Sequence, residues 1–318
     1  MTLHEVDVTR EARFVSALEG CLGAFLHTSR LEAACRAALG TTGKLLRPRI
    51  VLTVAGEGGP VSDEAIDTAV AVELLHLASL AHDDVVDAAE TRRSVPAVQA
   101  AFGPTAALLA GGRLVACGLG LVAPLGPEMA VAYATTASAM CEGQMRELEM
   151  AGDAGRTQEQ YYASISGKTA ALFALAGRAG ALLAAHERPL VEAAACFGHE
   201  LGLAFQIVDD LLDLTATTEE RGKPVCADVR GGIYTLPVIL AAERDPAVAA
   251  LLGGGTDAVG ARRIARHVRA GGALDACCDV VQAHLDRARD ALMLLPAPMP
   301  LTPLLGQVEA MLGGVRGA

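Results

Sequence analysis

Tryptophan is absent from this 318-residue chain, and the aromatic share is only 3%. Strands lean on aromatic and β-branched residues. Here an apolar content of 52% rests mostly on Ala, Leu and Val, which suits closely packed helices instead. Positive charge is short as well. With a net charge of −11 the surface as a whole attracts neither nucleic acid nor anionic lipid, so any phosphate site must be a local basic pocket. The eight cysteines, at 21, 35, 117, 141, 196, 226, 277 and 278, show no CxxC and no His/Cys metal spacing, which reads as reduced core thiols in a cytoplasmic protein. The opening MTLHEVDVTREARF is polar and acidic, unlike a signal peptide. Charges, Pro or Gly interrupt each long apolar run, so no transmembrane segment is expected.

Lysine is the rarest charge: Lys44, Lys168 and Lys223 stand against 23 arginines. Each follows a glycine (Gly43, Gly167, Gly222), and a compact ammonium beside glycine backbone suits a point charge on phosphate. Coincidence is the rival account, because glycine is abundant here.

What fills the chain is helical pattern. Apolar spacing predicts helix from about 8 to 39, closed by Gly40. Ser62 with Asp63 and Glu64 predicts a helix start, and the run continues to Asp87. Further runs span Pro104 to Val122 and Pro127 to Glu149. Thr157 and Gln160 fit a capping box for a helix to about Ala185. Pro189 to Leu214 is next, followed by a polar loop over 215–232 and helices to about Leu295, with a Pro-rich hinge at 296–303. No sustained alternation marks a sheet, and no linker divides the chain, so one all-α domain over 1–318 is expected.

Two clusters carry chemistry. Asp83, Asp84 and Asp87 end one apolar helix; Asp209, Asp210 and Asp213 repeat the DDxxD pattern 126 residues later. Carboxylates four apart on a helix stack on one face and repel, so a cation should sit between them. One such cluster in an acidic protein is more simply a solvated helix end. Two, each after more than a dozen mostly apolar residues, point to Mg²⁺ shared with phosphate oxygens. Arg47, Arg92 and Arg93 offer forked donors that suit a diphosphate. His76 lies seven residues before Asp83, on the same helical face.

With these parts in order, the chain resembles the trans-isoprenyl diphosphate synthases, or polyprenyl synthetases. The resemblance runs through GKLLRP, LLHLASLAHDDVVD, TRRSVP, GKTAALF, FGHELGLAFQIVDDLLD, GKPV…DVR and TLPV. It implies a single-domain helical bundle of the isoprenoid synthase type, with a central apolar cavity and usually a homodimer. The implied activity is head-to-tail condensation of an allylic diphosphate with isopentenyl diphosphate. By similarity Asp83, Asp87 and Asp209 hold Mg²⁺, three ions with bound diphosphate, and Asp84, Asp210 and Asp213 are supporting metal positions. Arg92, Lys168 and Lys223 would bind the allylic diphosphate, with Thr169 and Gln206 beside it. Lys44, Arg47, His76 and Arg93 match the isopentenyl diphosphate site. The small Ser79 and Ala78, four and five residues before Asp83, accompany longer products in the family, so geranylgeranyl or longer is expected.

Two positions depart from the family. Ile233 stands where a further lysine is common, and Gly112 stands where an acid is common. Three rivals remain open. A non-catalytic subunit of a heteromeric prenyl synthase would be expected to lose motif aspartates. A type I terpene cyclase would need no Lys44, Arg47 or Arg93. A metal-dependent phosphohydrolase would want His/Asp ligands and an open water site, and only His76 and His82 lie near.

Overall fold

The computed structural model describes residues 12–20, 29–41, 43–57, 59–93, 95–215, 226–253, 256–296 and 300–317. Lys223, with Gly222, lies outside the described residues, so its expected role stays with the sequence. Residues 12–20 form α1, followed by α2 (Ser29–Leu39), α3 (Leu46–Gly56) and α4 (Asp63–Val86). A two-residue hairpin, β1 (Thr91–Arg92) antiparallel to β2 (Val95–Pro96), is the only strand pairing among the described residues. Then come α5 (Val98–Phe102), α6 (Pro104–Val122), α7 (Pro127–Glu149), α8 (Gln158–Ile165), α9 (Ala171–Leu183) and α10 (Arg188–Thr215). The remainder is α11 (Ala227–Arg230), α12 (Leu236–Arg244), α13 (Pro246–Ala249), α14 (Ala258–Ala270), α15 (Ala273–Met293) and α16 (Thr302–Gly317).

The starts follow local chemistry. Ser62 Oγ accepts the Ala65 N–H at 3.2 Å and so caps α4. Thr157 and Gln160 close a reciprocal capping box on α8, at 3.2 and 2.8 Å. The helix expected from there to about Ala185 is not uniform, however. Residues Ser166–Ala170 form a π turn between α8 and α9, across the SGKTA stretch. Such turns gather at functional sites, and no propensity in the sequence marks this one.

The chain divides into two compact units: residues 1–138, 172–198 and 292–301 in the first, and 139–171, 199–291 and 302–318 in the second. In the first, α6 packs along α4. A Cβ on Gly111 would meet the His82 ring at 2.2 Å, and one on Gly118 would meet Tyr133 Oη at 2.2 Å and the Ala71 carbonyl at 3.1 Å. The order of these contacts makes the two helices antiparallel, and glycine is what lets them approach. In the second unit, α7 and the π turn meet backbone to backbone. A Cβ on Gly143 would lie 2.2 Å from the Lys168 nitrogen, and one on Gly167 would lie 2.5 Å from the Ala139 carbonyl.

By length and composition alone, two helices could cross a membrane: Asp63–Val86 and Pro104–Leu125. The interruptions counted in the sequence do not exclude them on that criterion. For α4 the packing separates it from a span, since 72% of its apolar window is buried inside the fold; for α6 the share is 39%.

Candidate active site

On α4, Glu73, His76, Leu80, Asp83 and Asp87 follow at helical spacing and share one face. Asp83 is half-buried, Asp84 buried, and Asp87 is the exposed C-cap whose N–H donates to the Asp83 carbonyl at 2.8 Å. Three carboxylates therefore sit where the helix dipole is already negative, an arrangement that favours a nearby cation. Asp84 has one from the protein. Arg92, on β1, donates Nε to Asp84 Oδ1 at 2.9 Å, and its Nη2 reaches the same oxygen. Asp84 thereby holds Arg92, a positioning task.

Deeper along the same face the cations gather. Arg93 has a left-handed backbone (φ 51°), and its Nη1 donates to the Thr41 carbonyl. Its guanidinium occupies the space beside Gly43, where a Cβ would be 2.3 Å away. A side chain at Gly43 would collide with Arg93, and the adjacent Lys44 is exposed. Arg47, on α3, stacks over the Phe173 ring at 4.3 Å, with its Nε buried and without a hydrogen-bond partner among the described residues. Burial holds Arg47 down to about 10, against the pull of Glu73 and with a push from Arg93. Glu73 itself, 2% exposed, is pushed up to about 7 by burial, while Arg47 and Arg93 pull it down. Burial, then Arg47, Arg93 and Arg92, keep His76 well below its ordinary value. His76 is therefore neutral at pH 7, with one ring N–H to donate. Glu73 was missed in the sequence; its place three residues before His76 on one face was the available signal.

The two residues expected to set product length differ in placement. Ala78 is fully buried and shares the α4 face with Ala71 and His82, which packs on α6. Ser79 is half-exposed, its hydroxyl donating to the His76 carbonyl at 2.8 Å.

In the second unit, Asp209 is half-exposed, while Asp210 and Asp213 are buried. Asp210 accepts from Tyr161 Oη at 2.6 Å and from Gln206 Nε2 at 2.8 Å, and Gln206 Oε1 accepts from Thr169 Oγ1 at 2.7 Å. This chain ties the π turn to the second motif. Burial, with Asp228 and Asp209 nearby, raises Asp210 well above the usual carboxylate range, and the bonds from Tyr161 and Gln206 oppose the rise. Asp213 Oδ2 accepts the Asp228 N–H at 3.3 Å. Lys168 Nζ donates to Glu147. Beneath them the buried Arg156 donates to the Tyr234 carbonyl at 3.1 Å and to Ser164 Oγ at 3.0 Å, its guanidinium 5.7 Å from the Tyr161 ring centroid. Nothing in the sequence set Arg156, Glu147 or Tyr161 apart, because their roles come from tertiary partners. Ile233 donates its N–H to the Asp228 carbonyl at 2.8 Å. Gly112 is exposed, with open space where a side chain would stand.

The sequence pattern of the polyprenyl synthetase family matches residues 28–259. A nonaprenyl diphosphate synthase of Mycobacterium tuberculosis is 37% identical over 261 residues, covering 80% of this chain and 78% of that protein. A heptaprenyl diphosphate synthase component 2 of Geobacillus stearothermophilus is 35% identical over 257 residues, covering 80% of each. Among solved structures, a polyprenyl synthase of Caulobacter crescentus CB15, complexed with calcium and isoprenyl diphosphate, matches with a TM-score of 0.86 at 29% identity, over 99% of this chain and 97% of that one. The chain belongs to the polyprenyl synthetase family, and it is an enzyme that transfers prenyl groups.

Proposed function

We propose that the chain condenses isopentenyl diphosphate head-to-tail with an allylic diphosphate, uses Mg²⁺, and releases diphosphate with a trans-prenyl diphosphate of geranylgeranyl length or longer. The observation that carries this reading is a division of labour within the aspartate motifs. Asp84 and Asp210 are buried, whereas Asp83, Asp87 and Asp209 keep exposure to solvent. Hard carboxylate oxygens at the negative end of a helix fit a divalent cation, and Mg²⁺ commonly takes one or two carboxylates and completes its sphere with water and substrate phosphate. Among the described residues no group of three or more His, Cys, Asp or Glu side chains is placed to hold a metal ion by itself, so on this reading water and substrate phosphate would complete the sphere.

On this reading Asp83 and Asp87 of the first unit and Asp209 of the second would hold the ions, three with diphosphate bound, and Asp84, Asp210 and Asp213 would be supporting metal positions. Bound Mg²⁺ supplies Lewis acidity that stabilises charge developing on the leaving diphosphate. Arg92, Lys168 and Lys223 meet the allylic diphosphate, with Thr169 and Gln206 beside it. Lys44, Arg47, His76 and Arg93 meet isopentenyl diphosphate. When the allylic C–O bond breaks, its electron pair leaves with diphosphate. The isopentenyl double bond supplies the pair for the new C–C bond, and the proton lost afterwards passes to a diphosphate oxygen, so no side-chain base is required. Guanidinium groups already fixed by Asp84, Thr41 and Phe173 need no rearrangement as charge develops. Apolar residues around them keep water from the allylic cation.

The family match runs through both compact units, which supports a single polyprenyl synthetase domain over 1–318. None of the seven described cysteines is in a disulfide, which suits a reducing, cytoplasmic setting. On α6 the exposed face carries Leu108, Leu109 and Leu119 with Gly112 and Ala116, and no charge; a second copy of this chain is the proposed cover. The relative named component 2 gives a second reading, in which a different subunit covers that face and activity needs both. Incubation of the purified chain with labelled isopentenyl diphosphate and a series of allylic primers, with and without Mg²⁺, tests the activity directly. Asp83→Ala and Asp209→Ala should each abolish condensation, and near-normal turnover by either would remove the metal assignment. Turnover only after a second subunit is added would favour the heteromer.

A further inference from the structure

Lys168 and Thr169 stand in the π turn of the second unit, Ser166–Ala170. Such a turn closes i→i+5 hydrogen bonds where an α-helix closes i→i+4, and it is the rarer geometry. Relaxing it to an α turn would shift its side chains by one residue relative to α8, about 100° of helix. Neighbouring elements therefore have to hold it. On one side α7 approaches through Gly143 and Gly167, and its Glu147 pairs with Lys168. On the other, α10 supplies two side chains seven residues apart. Gln206 Oε1 accepts the Thr169 hydroxyl at 2.7 Å, and His199 Nε2 lies 2.9 Å from Ser166 Oγ. A hydroxyl both donates and accepts, so the second bond forms with either tautomer of the ring. These two anchors flank Gly167 and Lys168. His199 is itself set among fixed groups. Oε1 of the adjacent Glu200 is 4.0 Å from His199 Nδ1, while its Oε2 takes His284 Nδ1 at 2.7 Å and Arg287 Nε at 2.8 Å, both from α15. The Tyr162 ring, on α8, stands 6.0 Å from the His284 ring.

We infer that His199, acting through Ser166, is a positioning residue: it keeps the π turn in register and so keeps Lys168 in place for the allylic diphosphate. The use of the clamp rests on the proposed role of Lys168; the clamp itself does not. Neither His199 nor Ser166 belongs to a DDxxD motif, and neither needs to touch substrate to act in this way. With the anchor gone, the turn samples the α register, and the ammonium spends part of its time away from the diphosphate. The expected signature is weaker engagement of one substrate, with the other unaffected, since Arg47, His76 and Arg93 lie in the first unit.

Two measurements on the full chain test this: amide hydrogen exchange over residues 162–171, and steady-state kinetics with each substrate varied. His199→Phe keeps a ring and removes the nitrogen, Ser166→Ala removes the hydroxyl, and His199→Gln returns an amide at about the reach of Nε2. Exchange over 162–171 should quicken by about threefold or more in His199→Phe and Ser166→Ala, and return towards normal in His199→Gln. In the same two variants KM for the allylic diphosphate should rise about fivefold, the effect of one lost hydrogen bond, with KM for isopentenyl diphosphate unchanged. Ser166→Ala should add nothing to His199→Phe, because both remove the same bond. Unchanged exchange overturns the inference. So does a fall in kcat with both KM values kept, which is the mark of a damaged fold. A normal allylic KM in His199→Phe, beside a raised one in Lys168→Ala, overturns it as well. If Lys168→Ala itself keeps a normal allylic KM, the proposed role of Lys168 falls, and exchange alone decides whether His199 holds the turn.

Discussion

Glu73 shows how one buried residue can tune a cluster of cations. It lies among Arg47, Arg93 and a neutral His76, and burial outweighs their pull enough to push it up to about 7 from an ordinary 4.5. A carboxyl that holds its proton more tightly in the folded state stabilises the fold fully below pH 4.5. That contribution fades as pH rises through about 7, in all by about 3 kcal/mol. His76 acts in the opposite sense, costing stability as pH falls below its ordinary value. Glu73→Gln should therefore flatten the part of the stability–pH curve between about 4.5 and 7 that belongs to the carboxyl. Urea melts of both proteins across that range measure it, and curves that stay parallel would show that Glu73 does not titrate there. Sequence reading singled out Arg47, Arg93 and His76, which the fold gathers around Glu73, because Arg and His next to an aspartate motif suggest phosphate chemistry. It passed over Glu73 and Arg156 because an acid or an arginine in a helix is ordinarily solvated, and only tertiary packing buries these two.

At the scale of elements, the starts of α4, α6, α7 and α8 were legible because they are written in capping residues and prolines. The π turn was not; it lies where α7 crosses closely at Gly143 and Gly167, positions 24 residues apart in sequence. Helix geometry also separates two residues that are neighbours in sequence. Ala78 shares the α6-packing face with Ala71 and His82, so Ala78→Phe should overpack that contact and cost about 1–3 kcal/mol in a thermal or urea melt. Ser79 is half-exposed one position on, nearer the Asp83 face, and Ser79→Phe should shorten the product with less loss of stability. Chromatography of the prenyl chains alongside the melts separates the two effects. If Ser79→Phe leaves the product distribution untouched, the length gate lies elsewhere.

For the molecule as a whole, the exposed apolar face of α6 predicts assembly. Leu109, 62% exposed, stands on it, and Leu109→Lys should lower the mass found by light scattering from a dimer to a monomer; an unchanged dimer would place the interface on another surface. The aspartates that end α4 have a different consequence. If these aspartates hold a divalent ion as proposed, an ion that binds only the native form raises the melting temperature by mass action. Heating the protein with increasing Mg²⁺ and pyrophosphate should reveal that dependence. Asp87→Asn should make the ion-free protein more resistant to heat, by about 0.3–1 kcal/mol, while blunting its response to the salt. Catalytic competence would then be traded directly for thermal endurance, in one residue and in opposite directions.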